Sequence, residues 1–266
     1  AITAVENAIG FIPSKQTVML RELMTLGERI RSHATHLYFL ALPDYVGYES
    51  ALAMVPKFKP QLGNALLLMK NGNHIIKTLA ARDLHPVSAT VGGWLKLPTE
   101  EQVSTMLSEL EALREPADAT VKLFSSLAYP SFETSGQVAG LKDRKNYAML
   151  QGSFNSEKFS FSPKEYRNFL TEEHRAYSSA NFVTLKGNTF MVGALSRFNL
   201  SGNLLHPKAR SWVKKSRLKL PSKNPYLNNL AQAIEMVHCI EEAIAYQQLM
   251  DEFQLSQEDI ASRVGK

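Results

Sequence analysis

From Ser14 to Leu42 the apolar residues Val18, Leu23, Leu26, Ile30, Ala34, Leu37 and Ala41 recur at steps of three to five. That spacing is the period of a helix. Near its end the stretch is apolar on more than one face, as in a helix buried on most sides. Ser14 is a plausible N-cap, and Pro43-Asp44 stops the run. A chain with such an element must surround it with other apolar surfaces, so the expected fold class is mainly α.

The same reading applied elsewhere gives more helices. Ile2–Ile9 reads as the tail of a helix broken at Phe11-Ile12-Pro13. A short helix is expected over Ser50–Val55 and a longer one from about Gln61 to Ala81, with His85–Gly93 as loop. Thr99, followed by Glu100 and Glu101, caps a helix that reaches about Arg114, where Pro116 interrupts. The last long helix is expected from about Leu227 to Phe253. Between Tyr129 and Phe161, Gly, Pro, Ser and Asn punctuate short aromatic runs, which reads as an irregular β patch. A short helix from Ser162 to about His174 follows. Then comes a hairpin over Phe182–Val192 that turns at Lys186-Gly187-Asn188. The expected architecture is a bundle of long helices with a small irregular β patch. It forms one domain over 1–266, with a helical core at 1–128 and 207–266 and a β-containing insertion at about 129–206.

Composition narrows function. The seven Lys and Arg between Ser201 and Ile234, with no acid among them, exceed the whole net charge of +5, so the rest of the chain is slightly acidic. With only Trp212 and Tyr226 nearby to stack bases, this segment reads as a solvated helix end and loop, and no nucleic-acid partner is expected. The longest apolar run, His36–Leu42, is too short to span a bilayer. One cysteine, Cys239, excludes an internal disulfide, and a cytoplasmic location is the default expectation. Cys239 sits among apolar neighbours and reads as packing.

Two runs carry histidines inside apolar sequence and end in a Pro or Gly break: Ser32–Gly47 and Leu79–Gly93. His33 and His36 stand three apart, a spacing that suits either a metal or buried, hydrogen-bonded imidazoles. His85 precedes Pro86 beside Arg82 and Asp83, as in a rigid loop that lines a site or a turn held by an Arg–Asp contact. No phosphate loop, dinucleotide fingerprint or nucleophile elbow is present.

Four segments, AVENAIG with the following IP, LRELMTLGERIRSHATHLYFLALPDYVGYESAL, ALLLMKNGNHIIKTLAARDLHPVSATVGGWLKLPT and YSSANFVTLKGNTFMVGALSRFNL, together resemble the large subunit of nickel–iron hydrogenases. They fall in the family's order over nearly the whole chain, and the details are most similar to the cytosolic NAD(P)-linked, or sulfhydrogenase, subgroup. The resemblance implies a large subunit that splits dihydrogen reversibly at a nickel and an iron with carbonyl and cyanide ligands, bridged by four cysteine thiolates. It also implies an iron–sulfur small subunit and further NAD(P)-linked electron-transfer subunits as partners.

The two cysteine-pair motifs are expected just upstream of Ala1 and well beyond Lys266, so the segment reads as a central piece of such a subunit. It would supply scaffold rather than metal ligands and bind no Ni–Fe centre alone. No catalytic residue and no metal ligand is assigned within it. Ser32, His33, His36, Arg82 and His85 match positions near the family's metal site and are expected to orient its ligands or polarise its edge. In the second motif the family's usual Gly before Arg82 is Ala81. The alternative reading is a metal-free, hydrogenase-like scaffold subunit of an electron-transfer complex; an unrelated helical interaction protein is a third.

Overall fold

The computed structural model describes residues 1–216 and 218–252, and for 247–252 the backbone alone. The chain separates into two compact units, one formed by 1–120 with the segment from Met236 onward, the other by Val121–Glu235.

The first unit is helical. α1 (Ile2–Ile9) ends at Gly10, whose φ of 72° is reached at least cost by a residue without a side chain. α2 (Lys15–Thr35) begins as expected, with the Ser14 hydroxyl accepting from the Thr17 N–H at 3.1 Å. It does not run unbroken to Leu42. At His36 it widens into a π-helical segment that lasts to Ala41. Pro43 does not stop the chain there; it occupies the first turn of α3 (Leu42–Val46), where its missing N–H would have had no partner. The two helices expected at 50–55 and 61–81 are one element, α4 (Ala51–Ala80), with a kink at Phe58 between Pro56 and Pro60.

α2 and α4 cross where Gly27 meets Gly72. A Cβ on Gly72 would lie 2.8 Å from the Arg31 nitrogen and the Gly27 oxygen, and one on Gly27 would lie 2.8 Å from Ile75 Cγ2. Backbone therefore packs on backbone, and Leu20, Leu23, Ile30, Leu68, Ile75 and Leu79 close the core around the crossing.

The loop after α4 contains a small hairpin, β1 (Ala89–Thr90) with β2 (Gly93–Trp94), inside the stretch read as plain loop. α5 (Glu100–Ala112) carries the Thr99–Gln102 capping box. α6 (Arg114–Ser125) follows at once, with Pro116 in its opening turn. The last helix among the described residues, α9 (Asn228–Glu252), contributes Glu241 to this unit, where Arg114 grips it through two nitrogens at 3.0 and 2.9 Å. Phe253, where this helix was expected to end, lies outside the described residues.

The second unit holds the β structure. β3 (Gln137–Lys142) pairs antiparallel with β4 (Ser153–Ser156), which pairs with β5 (Ser160–Phe161). The expected helix from Ser162 to His174 is only a 3₁₀ turn over Pro163–Asn168; β6 (Leu170–His174) replaces its second half. β6 pairs with β7 (Asn181–Leu185), placing Thr171 opposite Thr184 and Glu173 opposite Phe182.

The turn at Lys186-Gly187 forms, with φ of 49° and 74°, but the hairpin expected beyond it does not. β8 (Phe190–Met191) leaves and pairs parallel with β3. An aromatic cluster accounts for the redirection: Phe154 stacks on Phe161 at 4.7 Å, Phe161 on Phe169 at 4.2 Å, and Phe190 meets Phe154 edge-on.

α7 (Ala194–Ser201) and α8 (Pro207–Lys215) complete the unit. Glu235, fully buried, accepts two hydrogen bonds from Arg197 at 2.8 and 2.6 Å and one from the Tyr147 hydroxyl at 2.5 Å. Burial pulls the Arg197 guanidinium down, but Glu235 outweighs it and holds the charge.

Candidate functional site

The residues singled out in the sequence fall in two places, both in the first unit. Ser32 and His33 occupy the last turn of α2, and His36 opens the π-helical segment. His33 is buried at 3 % exposure, whereas Ser32 and His36 are half-buried. The His36 N–H reaches back to the carbonyls of both Ser32 and His33, so the three residues share the last regular turn before the helix widens. π-turns concentrate at functional positions because they re-aim side chains that a regular helix would place elsewhere.

Arg82 and His85 lie in the loop after α4, and both are exposed. The loop turns back at once. Ala81 and His85 have φ of 66° and 53°, and the Val87 and Ser88 N–H groups both donate to the Ala80 carbonyl. Asp83 accepts from the Leu84 N–H at 3.0 Å. The turn is built from backbone bonds, and no Arg82–Asp83 ion pair is present among the described residues.

The structure brings His85 against α2. His85, Asp83 and Pro86 share a cavity of about 210 Å³ with Thr25, Glu28 and Arg31. Arg31 donates to Glu28 at 3.2 Å, and its Nε is buried without an acceptor among the described residues. Arg31 immediately precedes Ser32 in the chain, but Ser32, His33 and His36 do not line the cavity. Arg82 does not line it. The enclosed groups are an imidazole, a guanidinium and two carboxylates, a set suited to hydrogen bonding and proton exchange rather than to nucleophilic attack.

Sequence reasoning missed the device that holds this loop. Glu6, in α1, is 1 % exposed and takes two hydrogen bonds from Arg21 of α2, at 2.9 and 2.7 Å. Arg21 also donates to the Thr90 carbonyl at 3.0 Å, and Glu6 accepts from the Gly92 N–H at 2.9 Å. Burial pushes the Glu6 carboxyl up, but Arg21 and the Gly92 N–H together leave it below the usual carboxylate range. Gly92 and Gly93 have φ of 89° and 158°, which explains a Gly-Gly pair at this turn. The available signal was slight: Glu6 is the one charged residue of α1, but α2 carries several charged residues that gave Arg21 no distinction.

The Ni–Fe group implied by the resemblance needs four thiolates. This chain has one cysteine, Cys239, fully buried in α9, and among the described residues no cluster of three or more His, Cys, Asp or Glu could hold a metal ion. The donors present do not fit that group, so no chemical step is assigned through it.

Comparison with known proteins supplies the remaining evidence. The chain is 38 % identical to the alpha subunit of sulfhydrogenase 1 of Pyrococcus furiosus, over 95 % of this chain and 59 % of that subunit. It is 32 % identical to the alpha subunit of sulfhydrogenase 2 of the same organism, over 91 % of this chain and 56 % of that subunit. An F420-non-reducing hydrogenase subunit of the vhu type from Methanocaldococcus jannaschii matches at 26 % identity over 99 % of this chain and 69 % of that one. The chain thus spans between half and two thirds of the length of the two sulfhydrogenase subunits.

Among solved structures, an NAD+-reducing [NiFe]-hydrogenase in the H2-reduced state superimposes with a TM-score of 0.77 at 22 % identity, covering 90 % of this chain and 60 % of that one. The [NiFeSe]-hydrogenase of Dm. baculatum gives 0.66 at 16 % identity, covering 97 % and 65 %. A family model for the ParB HTH domain matches residues 235–266, and its part from Phe253 lies outside the described residues. No described helix is long and apolar enough to cross a membrane. Along almost its entire length the chain is similar to sulfhydrogenase alpha subunits, of which it spans between half and two thirds, and its fold is like that of the [NiFe]- and [NiFeSe]-hydrogenase chains.

Proposed function

We propose that this chain is part of the catalytic large subunit of a cytoplasmic hydrogenase that oxidises dihydrogen and reduces protons reversibly. The observation that carries the reading is the 38 % identity to a sulfhydrogenase alpha subunit sustained over 95 % of the chain. The partners proposed are an iron–sulfur subunit and, by analogy with the NAD+-reducing relative, NAD(P)-linked electron-transfer subunits. The residues of this segment act as framework. His85, Arg31 and Glu28 border one cavity, and His33 and His36 sit on the turn that follows Arg31 in the chain. Their proposed role, with Ser32 and Arg82, is to orient groups supplied from elsewhere and to hand protons across the site's edge. The metal centre is assigned to the complete subunit and not to this segment alone.

Hydrogenase relatives favour this reading over a metal-free scaffold. The ParB-type match gives a nucleic-acid reading less support. Within the span it covers, Glu241 is locked to Arg114 and is 7 % exposed, so this part of α9 is committed to the helical unit. The test is to purify the natural gene product anaerobically with its associated subunits and measure nickel content and hydrogen-dependent dye reduction. Nickel with hydrogen uptake supports the proposal; an assembly that forms but holds no nickel and consumes no hydrogen overturns it. In an active preparation, His85→Ala or His36→Ala is expected to lower turnover by about 10- to 100-fold. Unchanged activity and metal content would remove those residues from the site.

A further inference from the structure

A second, larger cavity lies in the first unit, away from His85. It encloses about 390 Å³ between the end of α4, the returning strand of the 81–97 loop and the first turn of α5. That is within the size range of small-molecule sites. Its lining includes Lys77, Lys96 and His74 and no carboxylate. Leu79 and Leu97 supply an apolar wall.

The polar groups facing this space are mostly donors. Each lysine offers three N–H groups and no acceptor. Gln102 spends its carbonyl oxygen on the Thr99 N–H at 2.9 Å, so its amide N–H groups are what remain for a ligand. The first turn of α5 also borders the space through Gln102, but Glu100 and Glu101 offset its dipole, so the lysines carry the positive charge. The opposing carbonyl end of α4 is partly neutralised, because the Ala80 oxygen already accepts from Val87 and Ser88. Glu109 touches His74 from outside the lining and answers that one imidazole only.

The cavity is also held open in advance. Ser88 Oγ donates to the Lys96 carbonyl at 3.0 Å and accepts the Lys96 N–H at 3.1 Å, which pins Lys96 across from Lys77 without occupying its ammonium. A cationic ligand would be repelled, and a neutral one could accept hydrogen bonds but would leave the two ammonium charges unbalanced. An anion answers them, and the leucines cover its body.

We propose that this cavity binds a small organic anion, a carboxylate or phosphate group carried on a short apolar body. The site stands independently of the hydrogenase reading and needs no metal. It is tested by calorimetric titration of the full natural polypeptide with phenyl phosphate, benzoate and the uncharged benzyl alcohol. One equivalent of an aromatic anion is expected to bind at least about tenfold more tightly than the alcohol, and high salt should weaken it because both lysines are exposed.

Lys77→Gln with Lys96→Gln is expected to weaken the anion by about tenfold or more while leaving the unfolding midpoint unchanged, since neither ammonium supports the fold. The preference between benzoate and phenyl phosphate names the head group. Equal binding of the alcohol, or undiminished anion binding in the double variant, overturns the proposal.

Discussion

The α2–α4 crossing and the 81–94 loop are neighbours built on opposite principles. The crossing is dry: Gly27 and Gly72 let backbones touch, and aliphatic side chains fill the rest. Before its buried end at Trp94, the loop has little apolar anchorage of its own. It is exposed from Ala81 to Val87, takes positive φ at two residues with side chains, and is tied down by the Glu6–Arg21 pair through Thr90 and Gly92. One region is held by shape, the other by a few polar contacts. Such a site has a stiff wall and an adjustable rim, a division common where a rigid scaffold presents a working loop.

The contrast can be broken most severely at the ion pair. Glu6→Ala leaves Arg21 buried without its carboxylate and releases Gly92; a loss of about 3–5 kcal/mol is expected in denaturant unfolding, with fast amide exchange at 89–94. A smaller loss with a still-protected loop would show that the loop does not depend on the pair. At the crossing, Gly72→Val places carbon against the Arg31 nitrogen. It is expected to cost about 1–3 kcal/mol and to shift amide exchange in α2 and α4 but not in the loop.

A third effect is pH-dependent. Glu22, half-buried on α2, has its carboxyl pushed up to about 7 by burial. Its folded value exceeds its unfolded one, so the folded state keeps the proton longer. Stability therefore falls as pH rises from about 4.5 to about 7, and is flat above that. Glu22→Gln should remove this slope and leave the variant more stable by about 1–2 kcal/mol at pH 8 in thermal unfolding. The smallest effect concerns the rim. Ala81→Gly relieves a φ of 66° and is expected to stabilise by up to about 1 kcal/mol, with His85 unmoved. Destabilisation would mean that Ala81 is not strained.

Much of the helical core was legible because its signals are local. The Ser14 and Thr99 caps and the periodicity of α2 need no partner to be read. What failed was decided at a distance. Phe190 follows a good hairpin turn yet joins β3, because the Phe154, Phe161 and Phe169 rings lie there. Leu170–His174 looks helical after Ser162-Pro163 but gains a cross-strand partner in β7. In the site, the histidine-bearing runs were visible as composition. The Glu6–Arg21 tether was not, since its members are separated in sequence from the loop they hold. The two glycines of the crossing could have been flagged, because a glycine inside a helical pattern usually marks close approach.

The π-helical segment His36–Ala41 has a consequence for how this region can change. It carries a surplus residue in its turn, so removing one residue there is expected to restore an ordinary helix while leaving α3 in phase. Tyr38, whose hydroxyl meets Thr120 at 2.8 Å, would swing away from its anchor. The segment can therefore lose a residue without displacing α3, but the side chains inside it change their aim.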